Sequence, residues 1–174
     1  GSCAIPQFID TYDSDDGRLK DTWIMGQQYD YKGNILYCSV EASRKDDPLI
    51  FTNTATNIDL CKEDEGYRLG KFEIKMGALG SLSNDFPFFR YADVYLMKAE
   101  CLLRMGQTGA GSLVTEVRKR NFKTNPDKAI VTDEDLKKGS CYRYGEFHDG
   151  SFVVEQGGDD ILFGRLLDEY GWEF

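Results

Sequence analysis

Residues 84–105 read NDFPFFRYADVYLMKAECLLRM, and this stretch decides the fold. Asn84 and Asp85 are capping residues, and Pro87 suits the first turn of a helix because its φ is already fixed near the helical value. From Phe89 to Met105 the residues Ala92, Tyr95, Leu96, Ala99, Leu102 and Leu103 recur at three- and four-residue spacing and so share one face, while Asp93, Lys98 and Arg104 fall elsewhere. Gly106 ends the pattern. After GQTG at 106–109, the residues Ala110, Leu113, Val114 and Val117 repeat the spacing as far as Arg120, which predicts a second helix antiparallel to the first. Small residues at Ala92, Ala99 and Ala110 let the two backbones approach, as in tetratricopeptide-like pairs that stack in series. One pair cannot bury both of its faces, so apolar surface between residues 89 and 120 is left without cover.

Working outward, the chain reads as mainly α, with a tetratricopeptide-like helical pair, of the kind that builds an α-α superhelix, beside an irregular loop-rich region carrying short β-hairpins. Residues 1–83 form the loop-rich region, 84–121 the helical hairpin, and 122–174 loops and a final helix, all within one domain. In the first region YKGN at 31–34 reads as a turn between a strand at Gln27–Tyr31 and another at Ile35–Val40. Residues 121–158 return to loop and turn chemistry around Pro126, a short helix at Asp133–Lys138, and Gly157 with Gly158. Asp159 or Asp160 caps a last helix whose stripe is Ile161, Leu162, Leu166 and Tyr170, and which reads as stopping abruptly at Phe174.

Composition bounds the function. The 174 residues, 41% hydrophobic and 13% aromatic, suffice for one sizeable core. A net charge of −9 disfavours nucleic acid, whose binding draws on Lys and Arg. The five cysteines, Cys3, Cys38, Cys61, Cys101 and Cys141, lie far apart, with no CxxC pair, and read as reduced, partly buried thiols. Gly1 and Ser2 read as an appended remnant, with no apolar signal region before Cys3 to make it a lipidated residue. No run approaches the roughly 18–20 apolar residues of a membrane-spanning helix.

Candidate chemistry is sparse. Asp10, Asp13, Asp15 and Asp16 before Gly17 resemble the start of a calcium loop, but counting back from the glycine places Tyr12 at the first ligand position. The cluster therefore reads as a solvated loop, with no metal. His148, the one histidine, sits in the turn-like EFHDG rather than beside a nucleophile, and no glycine-rich phosphate loop follows a strand. Among 30 carboxylates a pair about 5–9 Å apart could support glycoside hydrolysis, the enzymatic alternative. A protein-binding helical scaffold without sugar affinity is the other; only one clear helix pair speaks for it.

The stretch at 84–100 resembles the central signature of the SusD/RagB family, with its Asn-Asp-x-Pro opening, RYAD and the closing KAE. Three further stretches are similar to the family: LVTEVRKR at 113–120, the DTYD and RLKDTW segments within 10–23, and GYRLGKFEI at 66–74. The final LLDEYGWEF at 166–174 also resembles it. The resemblance implies a central-to-late portion of a protein about three times longer. It further implies a non-enzymatic, cofactor-free surface lipoprotein of the outer membrane that binds glycan and hands it to a SusC-like TonB-dependent transporter. The anchor would lie outside these residues.

Pyranose rings pack their C–H faces on aromatic side chains, while their hydroxyls need fixed polar partners. Trp23, Tyr29, Tyr31 and Tyr37, with Gln27 and Asn34 interleaved, form the combination expected of such a platform. Aromatics in short strands also pack into cores, and Trp23 beside Leu19 has that alternative. Tyr91, Tyr95, Phe86, Phe88 and Phe89 are assigned to structure rather than to ligand, and Arg90 to a local ion pair with Asp93 or Asp85.

Overall fold

The computed structural model describes residues 3–40, 44–57, 60–72, 85, 87–148 and 151–174; the side chains of 144–155 are not described. Asn84, Phe86, the end of the 66–74 stretch and the His148 side chain lie outside the described residues. Helices and short strands are mixed. Among the described residues the strands form three two-stranded sheets, and none closes into a barrel. The chain divides into two compact units: residues 1–10, 20–84 and 145–155, and residues 11–19, 85–144 and 156–174.

The first unit opens with α1 (Pro6–Ile9), and α2 (Gly17–Thr22) leads into its strands. Strand β1 (Trp23–Ile24) pairs antiparallel with β4 (Arg68–Leu69), and β2 (Gly26–Gln27) with β3 (Ile50–Phe51). Between β2 and β3 the chain makes the expected turn, with Asp30 donating to the Asn34 carbonyl at 2.8 Å and Tyr29 opposite Ile35. The anticipated hairpin is shorter than its sequence pattern, however, because Tyr37 pairs with Pro48 instead of running back along β2.

The second unit is built on α3 (Tyr91–Arg104) and α4 (Ala110–Lys119). Ala92, Leu96, Ala99 and Leu103 of α3 are buried with Ala110, Val114 and Val117 of α4, as the periodicity predicts. The turn between the helices is a Schellman motif: Gln107 donates to the Leu102 carbonyl and Gly106 to that of Leu103, with Gly106 at φ +66°. Asp133 of α5 (Asp133–Lys137) accepts from the Gly109 and Gly111 amides, so a carboxylate from another helix satisfies the start of α4. Thr132 and Asp135 form a capping box on α5 itself.

Two expectations are corrected in this region. Residues 140–158 are not all loop: β5 (Ser140–His148) and β6 (Ser151–Gly158) pair as a sheet. The residues between them in sequence are Asp149 and Gly150, a strong short-range hairpin signal. The last helix, α6 (Gly164–Glu173), starts later than Asp159 or Asp160 would allow, because Phe163 adopts a left-handed φ of 57° at its N-cap and leaves Ile161 and Leu162 in the preceding turn. Its first residue abuts β5 so closely that a Cβ on Gly164 would lie 1.9 Å from the Ser140 nitrogen. Phe88 (88% exposed), Phe89 (76%) and Tyr91 are not core residues. Tyr91, Val94 and Met97 make α3 apolar on its outer side as well as its inner one.

An ion network around buried carboxylates joins α4, α6 and the N-cap of α3 to the start of α2. Arg18 holds Asp16 through Nε at 3.0 Å and Nη2 at 2.6 Å, and reaches Glu169 at 3.1 Å. Glu169 also accepts from Arg118. Glu173 accepts from Arg90 at 3.0 Å and Arg120 at 2.6 Å. The expected local pair of Arg90 with Asp93 is replaced: Asp93 takes the Arg90 backbone amide at 2.6 Å, which frees the guanidinium to cross to α6.

Candidate functional site

The expected platform residues fall on an unusual piece of backbone in the first unit. Gln28 donates to the Leu49 carbonyl at 2.9 Å, Leu49 to Leu36 at 2.8 Å, and Leu36 back to Gln28 at 3.0 Å. This cycle of three hydrogen bonds is a junction from which three short antiparallel ladders diverge. Gln27 lies opposite Ile50 in the first, Tyr29 opposite Ile35 in the second, and Tyr37 opposite Pro48 in the third. Side chains alternate along a strand, and opposed residues share a side. Each of the six is one residue removed from Gln28, Leu36 or Leu49, so all six stand on the same face of the junction.

That face is open. Tyr29 is 55% exposed and Tyr37 54%, and Ile35, Pro48 and Ile50 are exposed beside them. Tyr31, 70% exposed, projects from the turn with the Lys32 ammonium 5.3 Å from its ring centre. The backbone beneath is pinned. Asp30 accepts from the amides of Lys32 and Asn34 and from the Asn34 side chain at 3.0 Å, contacts that hold its carboxyl below the usual range, with Asn34 the main cause. Gln27 donates its side-chain amide to the carbonyls of Gln28 and Leu49, and Gln28 does the same to Met25 and Gly26.

Of the six sequence candidates, Gln27, Tyr29 and Tyr37 are thus brought to one face of the junction, with Tyr31 and Asn34 in the turn between two of its strands. Trp23 is placed apart, on the β1–β4 ladder, half-buried and edge-on to Phe8 with ring centres 6.2 Å apart. Gln27 holds backbone carbonyls with its amide nitrogen, and Asn34 holds the Asp30 carboxylate with its own. Sequence reasoning missed Ile35, Pro48 and Ile50 as companions of the tyrosines. The alternation of ILY at 35–37 carried the signal for Ile35. Pro48, after two aspartates, hid the third arm, since proline argues against a central strand.

The acidic loop is engaged within the protein. Asp10 accepts from Asn53 at 2.7 Å, Asp13 and Asp15 share the Lys128 ammonium, and Asp16 holds Arg18. Lys128 is the main cause that keeps the Asp13 carboxyl below its ordinary value. Among the described residues no group of three potential ligands is placed to hold a metal ion. In the second unit a cleft of about 390 Å³ is bordered by Asp13, Ile130, Asp135, Lys138, Arg165 and Trp172. Its lining is mainly polar, and several of its charges are paired within the protein, Lys138 with Asp135 and Asp13 with Lys128. No helix among the described residues is long and apolar enough to cross a membrane.

A model of the SusD family (SusD_RagB) matches residues 6–174. The chain belongs to the SusD family. A solved structure, B. fragilis NanU, aligns with 98% of this chain at 19% identity and a TM-score of 0.45; the chain spans 28% of that protein's length. No curated protein matches. Four of the five SusD-like stretches of this sequence meet in the buried ion network: Arg18 from 10–23, Arg90 from 84–100, Arg118 and Arg120 from 113–120, and Glu169 and Glu173 from 166–174. The SusD signature here therefore holds the second unit together, while the tyrosine face lies in sequence that carries none of these motifs.

Proposed function

We propose that this chain is the sugar-contacting portion of a lipid-anchored outer-membrane protein that captures oligosaccharide and delivers it to a SusC-like TonB-dependent transporter. The observation that carries the reading is the open face of the three-way junction, where Tyr29 and Tyr37 stand exposed on hydrogen-bonded backbone with Tyr31 at its edge. Exposed aromatic rings on a stiff support lose little entropy on meeting a flat sugar face, and the amide oxygens of Gln27 and Asn34 offer fixed acceptors to its hydroxyls. SusD family members are in general non-catalytic binding proteins associated with the outer membrane, which supports capture rather than turnover. In the whole protein, α3 and α4 serve as one pair of a tetratricopeptide-like superhelix.

The test is an affinity-gel and calorimetric screen of the whole protein against plant, host and microbial oligosaccharides, with Tyr31→Ala alongside. Saturable binding to one glycan class, weakened at least about tenfold by the substitution and without release of reducing sugar, is expected; a loss of that size corresponds to about 1.4 kcal/mol. Release of reducing sugar would make the protein a hydrolase. Binding to none of the glycans would transfer the reading to a protein-binding scaffold.

A further inference from the structure

The arms of the tyrosine junction are not held alike. In the second arm the turn is pinned from within, by Asp30 on the amides of Lys32 and Asn34. The third arm is thinner. Tyr37 and Pro48 form an isolated bridge, flanked by the Leu49 amide on the Leu36 carbonyl and the Cys38 amide on that of Asp47, both at 2.8 Å. A ribbon of so few bonds is marginal in water without outside support. That support comes from residues 63 and 64. Glu63 accepts the Ser39 and Val40 amides on one carboxylate oxygen, at 2.8 and 2.9 Å, and the Ser39 hydroxyl on the other at 3.3 Å. Those amides, Val40 first, hold its carboxyl below the usual range, as for any carboxylate that meets backbone donors. Asp64, 5% exposed, takes the Arg44 guanidinium through both oxygens, at 2.8 and 2.6 Å. Asp64 thus fastens the side of the arm that leads to Pro48, and Glu63 the side that leaves Tyr37.

Glu63 is itself placed by Arg68. That guanidinium donates to the carbonyls of Glu63 at 2.8 Å, Glu65 at 2.7 Å and Gly66 at 2.9 Å. It also stands 4.8 Å from the ring centre of Phe51, which lies opposite Gly26 in the first arm. Arg68 belongs to 66–74, the SusD-like stretch outside the ion network of the second unit. We propose that Glu63 is a positioning residue for sugar binding: it fixes the backbone beside Tyr37, and so the place at which that ring meets a sugar, without touching the sugar itself. This role rests on the tyrosine face being the sugar site. It gives the 66–74 stretch a part in binding at one remove, through Arg68 and the carbonyl of Glu63. The distance along the chain from Glu63 to Tyr37 hides the link from any local reading of the sequence.

The test combines amide hydrogen exchange with oligosaccharide affinity, on the whole protein and its variants. Exchange needs no sugar. In Glu63→Ala the Cys38 amide is expected to exchange at least about tenfold faster, with the Asn34 amide of the second arm unchanged. Affinity is measured by calorimetry with the member of the plant, host and microbial panel that binds the unsubstituted protein. Glu63→Ala is expected to weaken it at least about fivefold, and the Glu63→Ala/Tyr37→Ala double variant to bind no more weakly than Tyr37→Ala. Glu63→Gln keeps an oxygen for both amides but not the charge, and is expected to stay within about twofold of the unsubstituted protein. An unchanged Cys38 amide would overturn the proposal, as would additive losses in the double variant or equal losses in Glu63→Gln and Glu63→Ala. If no oligosaccharide binds, the sugar reading falls, and the Cys38 amide alone decides whether Glu63 holds the arm.

Discussion

Arg18 sits among three carboxylates with its side chain only 5% exposed. Burial opposes its charge, but the hydrogen bond to Asp16 and the field of Glu169 outweigh burial and raise its pKa, so it remains a guanidinium at any pH the fold meets. Replacing it as Arg18→Met strands Asp16 as a buried anion and leaves Glu169 with Arg118 alone, and unfolding in urea is expected to show a loss of about 3–5 kcal/mol. Tyr31→Ala, by contrast, should leave stability within about 0.5 kcal/mol, so that a binding loss in that variant reports the surface and not the fold. Asp135 gives the pH dependence its sign. Lys138 and then Thr132 hold its carboxyl well below the ordinary value of 3.8. A depressed folded pKa contributes stability that is complete above the unfolded value and is lost as pH falls through the folded one. Thermal midpoints are expected to drop below about pH 4, and Asp135→Asn to flatten that slope. The candidate tyrosines were legible as a cluster at this scale. What could not be read was which neighbours the fold had already engaged: Trp23 with Phe8 and β4, and Arg90 with a residue of α6, are decided by partners far away in the chain.

Among the elements, α3 and α4 were legible from their apolar spacing and Gly106, but the start of α3 was not: it begins at Tyr91 with Arg90 as its N-cap, later than Asn84, Asp85 and Pro87 led one to expect. Their inner and outer faces should respond differently. Leu96→Ala, at a position with 0% exposure, is expected to cost about 2–5 kcal/mol in a denaturant melt. Val94→Ala, on the outer stripe, should cost less than about 1 kcal/mol. The beginning of α6 was not legible, since the apolar pattern runs back through Ile161 and Leu162 while the backbone turns at Phe163. Contact with β5 is what requires glycine there. Gly164→Ala is expected to lower the thermal midpoint more than alanine's better helix propensity could raise it, because the clash is with the Ser140 backbone, which a side-chain rotation cannot relieve. The junction was half legible. Its first turn has the sequence of one, but the third arm depends on a cyclic set of backbone hydrogen bonds that no local pattern encodes.

At the scale of the whole chain, recognition and function fall in different places. Four of the five SusD-like motifs converge on buried glutamates of the second unit, whereas the face proposed for sugar lies in the first, between Gln27 and Ile50. The most direct test is backbone-amide chemical-shift mapping of the protein titrated with the oligosaccharide that binds it. Shifts concentrated at Gln27, Tyr29, Tyr31, Asn34, Ile35, Tyr37 and Ile50 are expected, with α4 and α6 unmoved. Shifts confined to Ile130, Lys138 and Arg165, around the charged cleft of the second unit, would contradict the assignment of the site to the tyrosine face.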